Sequence, residues 1–372
     1  MTADLLTLDG IGQRAASFRF ALLDKQNSLL APSIDVEAGS APSISNNINR
    51  TVKRSMSNFK LPPSVTADVN TLTMRVQPWM RFQDGTEYPC GVFLFGDAVR
   101  QLVLSGSVQL ADVGEAWWTT ATMLDQTVTV NQGSRGINFY GPGASIYDAF
   151  VQQLDAANIY ERYIDVTDAV FSDWVVWKPN TSRLKVINDL AAMAGFYSLY
   201  FDNAGVAQLR KVPAMEAVEP DFVYAAGLNV YADTITESDD LLGAYNDYVV
   251  INTGFTGPPI WGEWKVPASA PHSFDERGFY VVKEIDQQGV TSSSQARVAA
   301  KAAGQADYSA YRWANFSTAI NPLHDTFNIV EWRGDKWREQ GWDFVCREGA
   351  PHKHELRRVW SDDIADLIEE EA

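Results

Sequence analysis

Apolar and polar positions alternate with two different periods along this chain, and the period changes near residue 130. Before that point the pattern is that of short strands. Phe18 to Leu23 is an aromatic and aliphatic run followed by polar turn material at Asp24 to Asn27. Leu72-Thr73-Met74-Arg75-Val76 alternates with the period of two that a half-buried strand requires. Asp84-Gly85 lies between Trp79–Phe82 and Gly91–Phe95, which predicts a hairpin. Val99 to Leu104 and Trp117 to Leu124 continue the series, and strands at this spacing predict a sandwich or barrel.

From residue 131 the period lengthens. Ser145 stands at an N-cap position before Ile146, Phe150, Val151 and Leu154, and Asp148 completes a capping box with Asp in place of Glu. A second helix starts near Thr181 or Ser182 with Leu184, Ile187, Leu190 and Met193 on its apolar stripe. Gly195 follows as a left-handed C-cap. Phe196 to Phe201, the turn Asp202-Asn203-Ala204-Gly205 and the return strand Val206 to Val212 complete an α+β unit. The last third returns to strands at Asn246–Asn252, Gly278–Ile285, Phe327–Trp332 and Trp342–Arg347. A helix from Ser293 to Tyr311 interrupts them, with Ala296, Ala300, Ala303 and Ala310 on one stripe. Small residues there allow close approach to a neighbour. Asp362 to Glu371 is acidic and predicts a fraying terminal helix.

Between Glu37 and Asp68 there is no acid, while Arg50, Lys53, Arg54 and Lys60 are basic. Its Ser, Asn and Pro content predicts a long solvated loop, with a basic arm reaching an acidic neighbour or a channel as the sharper alternative.

Charge narrows the function classes. A formal charge of −17 repels a phosphate backbone and an anionic bilayer, which argues against sequence-reading nucleic-acid binding. The same charge suits a channel through which a polyanion slides. No apolar run approaches the ~18 residues of a membrane span, so no membrane insertion is expected. The first ten residues carry Asp4 and Asp9 and no basic region, so no signal peptide is expected. Cys90 and Cys346 are too few for a disulfide framework and predict reduced core or strand residues of a protein made in the cytoplasm.

Catalytic candidates do not assemble. Trp261-Gly262-Glu263-Trp264 sets a carboxylate between two rings, as an acid catalyst beside a sugar platform would be, and Pro258-Pro259 before it predicts a loop. Glycoside hydrolysis needs a second carboxylate across the bond, and 47 acidic residues make chance neighbours common. His352 and His354 fall on one face of a strand beside Glu355, yet no Cys, HExxH or carboxylate cluster joins them. An exposed polar strand end is the expectation there. Gly141-Pro142-Gly143 opens a helix without the third glycine or the lysine of a phosphate cradle, and no G-x-S-x-G elbow occurs. No catalytic residue, cofactor or metal is expected.

One resemblance spans about half of the chain. Lys178 to Leu184 leads into Ile187 to Ala191, then Gly195-Phe196-Tyr197, the Phe201 to Gly205 hairpin and Leu209 to Pro213. Ala244 to Ile251, the Ala-rich helix and Asn321 to Val330 follow in order. This order resembles the hub proteins of phage tails and related contractile machines. The resemblance implies an α+β, mostly β fold: two tube-type β-barrel domains, an α+β domain between them and a helical insertion in the second barrel. The corresponding boundaries are 1–130, 131–213 and 214–372, with the insertion at about 258–311. It also implies a homotrimer whose six barrels match a sixfold tail tube, with DNA passing through unbound. The implied partners are distal tail or tail tube, tape-measure and tail-tip or fibre proteins, and the implied location is the virion tail tip. His324-Asp325 departs from the family, which has a proline-glycine segment there. Trp261, Trp264, Ala296, Ala300, Ala303, Arg50, Lys53 and Arg54 are the expected interface residues. The alternatives are a receptor- or carbohydrate-binding tail protein, whose tryptophans stack on sugars, and a cell-wall hydrolase using Glu263.

Overall fold

The computed structural model describes residues 16–37, 41–66, 68–105, 114–130, 133, 136–213, 217–225, 230–231, 235–253, 258–287, 290, 292–307 and 311–360. The fold is mostly β. A 14-stranded sheet dominates, and it draws strands from both ends of the chain. Along it lie, in spatial order, Leu29–Ile34, Ala16–Leu23, Arg75–Phe82, Phe93–Ser105, Gly114–Asp125, Arg54–Leu61, Ser43–Asn47, Asp335–Val345, Pro351–Trp360, Arg312–Ala319 and Thr236–Asp239. Ile329–Trp332 and Phe222–Tyr224 branch from Asp335–Val345, and Glu87–Pro89 branches from Arg75–Phe82.

The two β regions meet where Ser43–Asn47 pairs antiparallel with Asp335–Val345, Ser45 opposite Asp343. One strand order therefore runs through both regions. It ends at open edges among the described residues, where two separate barrels were expected.

Packing follows from this pairing. Phe20, Ile44, Met56, Phe59, Val76 and Phe93 of the first region share a core with Trp342 and Phe344 of the last. A second core belongs to the middle of the chain: Phe150 and Leu154 of the helix Ile146–Ala156 pack with Ile187 and Leu190 of the helix Arg183–Ala194. Ser145 and Ser182 cap these helices by accepting from the backbone N–H of Asp148 and Lys185. Gly195 closes the second at φ 73°, a left-handed conformation that suits glycine. Arg162–Ile164, Ala207–Leu209 and Tyr200–Phe201 form a small sheet beside them. A third core joins the sheet Ile260–Lys265, Asp247–Asn252 and Val282–Asp286 to the helix Ser293–Asp307 through Tyr248, Val250, Ala296 and Ala300.

Three expectations change. The basic stretch is a hairpin of Ser43–Asn47 and Arg54–Leu61 in the middle of the large sheet, because Ile44, Met56, Phe59 and Leu61 supply a buried face that its Ser and Asn content masked. Trp261 to Trp264 lies on a strand, with Gly262 turned inward against the helix Ser293–Asp307. Leu72 is exposed in a turn, and the strand predicted around it begins at Arg75. The acidic segment 362–371 and the first ten residues lie outside the described residues. Among those residues no helix is long and apolar enough to cross a membrane.

Candidate functional site

The loop from Asn321 to Asn328 joins Arg312–Ala319 to Ile329–Trp332, and all three parts of the chain converge on it. Its own polar side chains shape it. Asn321 Oδ1 accepts from the Leu323 N–H at 3.1 Å, and Asp325 Oδ1 accepts from the Thr326 N–H at 2.6 Å. Phe327 takes φ 65°, a strained conformation for an aromatic residue that the surroundings must hold.

From the first β region, Arg54 pairs with Asp325, and Asn46 Nδ2 donates to Thr326 Oγ1 at 2.6 Å. From the α+β unit, Asn203 accepts from Arg54 Nη1 at 2.6 Å and donates to the Pro322 and His324 carbonyls at 3.1 and 2.9 Å. The ring of Tyr197 stacks on Phe327 with centroids 4.3 Å apart. From the second β region, Trp342 Nε1 donates to the Asp325 carbonyl at 2.9 Å. The Arg54 side chain is 1% exposed, so its charge is almost wholly dependent on these partners.

Behind the loop lies a buried polar chain. Glu339 Oε2 is 2.7 Å from His324 Nδ1, and Oε1 is 2.6 Å from His354 Nδ1. Tyr224 Oη is 2.6 Å from His324 Nε2, and Thr318 Oγ1 is 2.8 Å from His354 Nε2. Phe222 stacks on the His324 ring at 3.9 Å between centroids. Burial pushes Glu339 up and His354 down, and His324 falls to about 3, so each group's burial favours its neutral form. His352 is also fully buried, with its ring 4.3 Å from that of His354.

The exposed strand end expected at His352 to Glu355 is thus overturned. The two imidazoles do share a face, but it is the core face that Leu356 also occupies. The His-x-His-x-Leu alternation was the signal that could have found it.

The expected interface residues divide. Arg50 and Trp261 are exposed, and Trp264 and Ala303 are half-buried against the third core. Ala296 and Ala300 are buried, and the strand Ile260–Lys265 approaches their helix closely at Gly262. Lys53 and Arg54 are buried because the hairpin that carries them lies inside the sheet, and Arg54 serves the junction. Glu263 points to solvent and sits 3.6 Å from Lys265. Cys90 and Cys346 are free thiols, the first buried.

No protein-family model matches the chain, and no curated protein matches it in sequence. Solved structures do. The 43 kDa tail protein of prophage MuSo2 from Shewanella oneidensis superposes with a TM-score of 0.60 at 11% identity, over 92% of this chain and 99% of that one. The fold is that of phage tail proteins. A tail protein from Neisseria meningitidis shares it with a TM-score of 0.59 at 8% identity, over 92% and 96% of the two chains. A type VI secretion component of E. coli, itself described as similar in structure to bacteriophage T4 tail proteins, shares it at 0.52 and 9%, over 92% and 77%.

Proposed function

We propose that the chain is a non-enzymatic hub at the distal end of a phage tail. In this reading three copies form a pseudo-sixfold ring that joins the tail tube to the tip or baseplate and lets DNA pass. The observation that carries it is the joining of two β regions into one sheet, locked by a buried junction, in a fold shared with tail proteins along nearly the whole chain. A ring element under load needs its parts to move as one, and the junction ties all three. The division at 1–130, 131–213 and 214–372, with its insertion at about 258–311, belongs to the same proposal, as does each β region's completion of a barrel in the ring.

The solvent face of the joined sheet supports passage of DNA without capture. Ser45, Asn47, Asn315, Asp343, Lys353 and Glu355 line a shallow groove of about 380 Å³ there. Arg50 also lines it, so two acids, Asp343 and Glu355, balance two bases, Arg50 and Lys353, and a polyanion meets no net cationic track. Distal tail or tube, tape-measure and tip or fibre proteins are the proposed partners, and the tail tip of the virion is the location, after synthesis in the host cytoplasm. Light scattering over a concentration series tests this. A mass of three chains is expected, alone or on adding the neighbouring tail protein. A monomer under both conditions would overturn the ring.

Carbohydrate binding is the second reading, favoured by one observation. Trp174 and Phe139 are exposed side by side on the α+β unit, with ring centroids 6.3 Å apart. Binding of cell-wall polysaccharide by the wild type, lost on Trp174→Ala, would establish it.

A further inference from the structure

With Glu339 ionised, the buried polar chain contains one proton too few for its acceptors. Thr318 Oγ1 donates to the Ala319 carbonyl at 2.9 Å. A hydroxyl has a single hydrogen, so Thr318 must accept from His354, which places that ring's proton on Nε2. His354 Nδ1 is then a bare lone pair, and it faces Glu339 Oε1 at 2.6 Å. Two acceptors at that separation need a positive centre between them, either an added proton or a metal ion.

We propose that His324, Glu339 and His354 form a buried transition-metal site of the zinc class. Their ligand atoms, one from each residue, lie within 4.8 Å of one another. They come from the junction loop and from two strands, so the backbone brings them together. Both Nε2 atoms are engaged by hydroxyls, Tyr224 on His324 and Thr318 on His354. Such outer partners fix the ring orientation of metal-bound imidazoles.

A proton alone leaves His352 unexplained. Its ring is fully buried, 4.3 Å from His354 and 5.1 Å from His324 between centroids, and its Nε2 makes no hydrogen bond among the described residues. Imidazoles with one carboxylate match zinc and its neighbours better than calcium or magnesium, which prefer all-oxygen sites. Zinc bonds of roughly 2.0–2.2 Å in a tetrahedron set donor atoms roughly 3.3–3.6 Å apart, so the nitrogen–oxygen pairs at 2.6 and 2.7 Å would have to part by roughly 0.6–0.9 Å. The ion would fasten the junction loop to the strands Asp335–Val345 and Pro351–Trp360.

Because the site is closed to solvent, the ion must enter during folding. Tag-free chain is refolded from denaturant with Zn²⁺ or without divalent metal, dialysed, and assayed by elemental mass spectrometry and thermal melting. About one zinc per chain and a raised Tm are expected. Refolding with Co²⁺ should give the intense visible absorption of a tetrahedral site. Glu339→Gln should lose the zinc and the Tm difference between the two preparations. The wild-type comparison stands alone if that variant does not fold. Zinc below one-tenth of an equivalent, equal melting with and without metal, and no cobalt absorption would overturn the site and leave a proton on Glu339 as the positive centre.

Discussion

The junction and the small layer around Ala296 and Ala300 are stabilised in opposite ways. At the junction, charge and hydrogen-bond geometry select one arrangement: the two Nη atoms of Arg54 meet Asn203 and Asp325 only when three distant segments are all in place. In the layer, shape does the selecting. Gly262 lies so close to the helix Ser293–Asp307 that an added Cβ would stand 2.4 Å from the Arg297 nitrogen, and one on Gly304 would stand 2.0 Å from the Trp264 ring. The layer closes on its own strands, whereas the junction closes the molecule. Damage to the first should stay local, and damage to the second should spread.

The largest effect is expected at Arg54. Arg54→Met leaves Asp325 and Asn203 without their buried partner, which should cost about 3–5 kcal/mol in denaturant unfolding. Hydrogen exchange should rise in all three regions. Protection lost only near Asp325 would break the comparison.

Gly262→Ala forces backbone against backbone and should cost about 1–3 kcal/mol. Faster exchange should be confined to Asp247–Asn252, Ile260–Lys265 and Ser293–Asp307, with the junction unchanged.

Acid should sharpen the contrast. Burial, then the nearby Arg277 charge, holds His272 at about 4, below its ordinary 6.5. The unfolded chain binds this proton first, so the contribution is complete above pH 6.5 and is lost as pH falls toward 4. The slope is about 1.4 kcal/mol per pH unit for one such group. His272→Asn should flatten that part of the stability–pH curve.

The smallest effect belongs to a local cap. Ser182→Ala removes the acceptor for the Lys185 N–H and should cost about 1 kcal/mol by thermal melting, without touching assembly.

What could be read from the sequence follows the same division. Ser145, Ser182 and Gly195 act on residues within a turn of themselves, so their roles were legible. The stretch from Ser43 to Leu61 was not, because Ser and Asn alternate with Ile44 and Met56 and the polar half resembles a loop until its partner strands are known. Asp325 and Arg54 are 271 residues apart, and nothing local marks one as the counter-ion of the other. The departure at His324-Asp325 was visible against the hub family, but its meaning was not. Those two residues place one ring in the buried chain and one carboxylate on Arg54.

The pairing of Ser43–Asn47 with Asp335–Val345 also sets a schedule for the nascent chain. Ser43 donates to the Phe344 carbonyl across 301 positions of sequence. At roughly 5–20 residues per second, a ribosome leaves the first β region waiting on the order of 15–60 s for that strand. During the wait the apolar faces of Phe20, Ile44 and Met56 lack the cover of Trp342 and Phe344. A chain built this way depends on chaperones or rapid synthesis early in life, and truncation before residue 345 should yield an aggregating product rather than a folded N-terminal half.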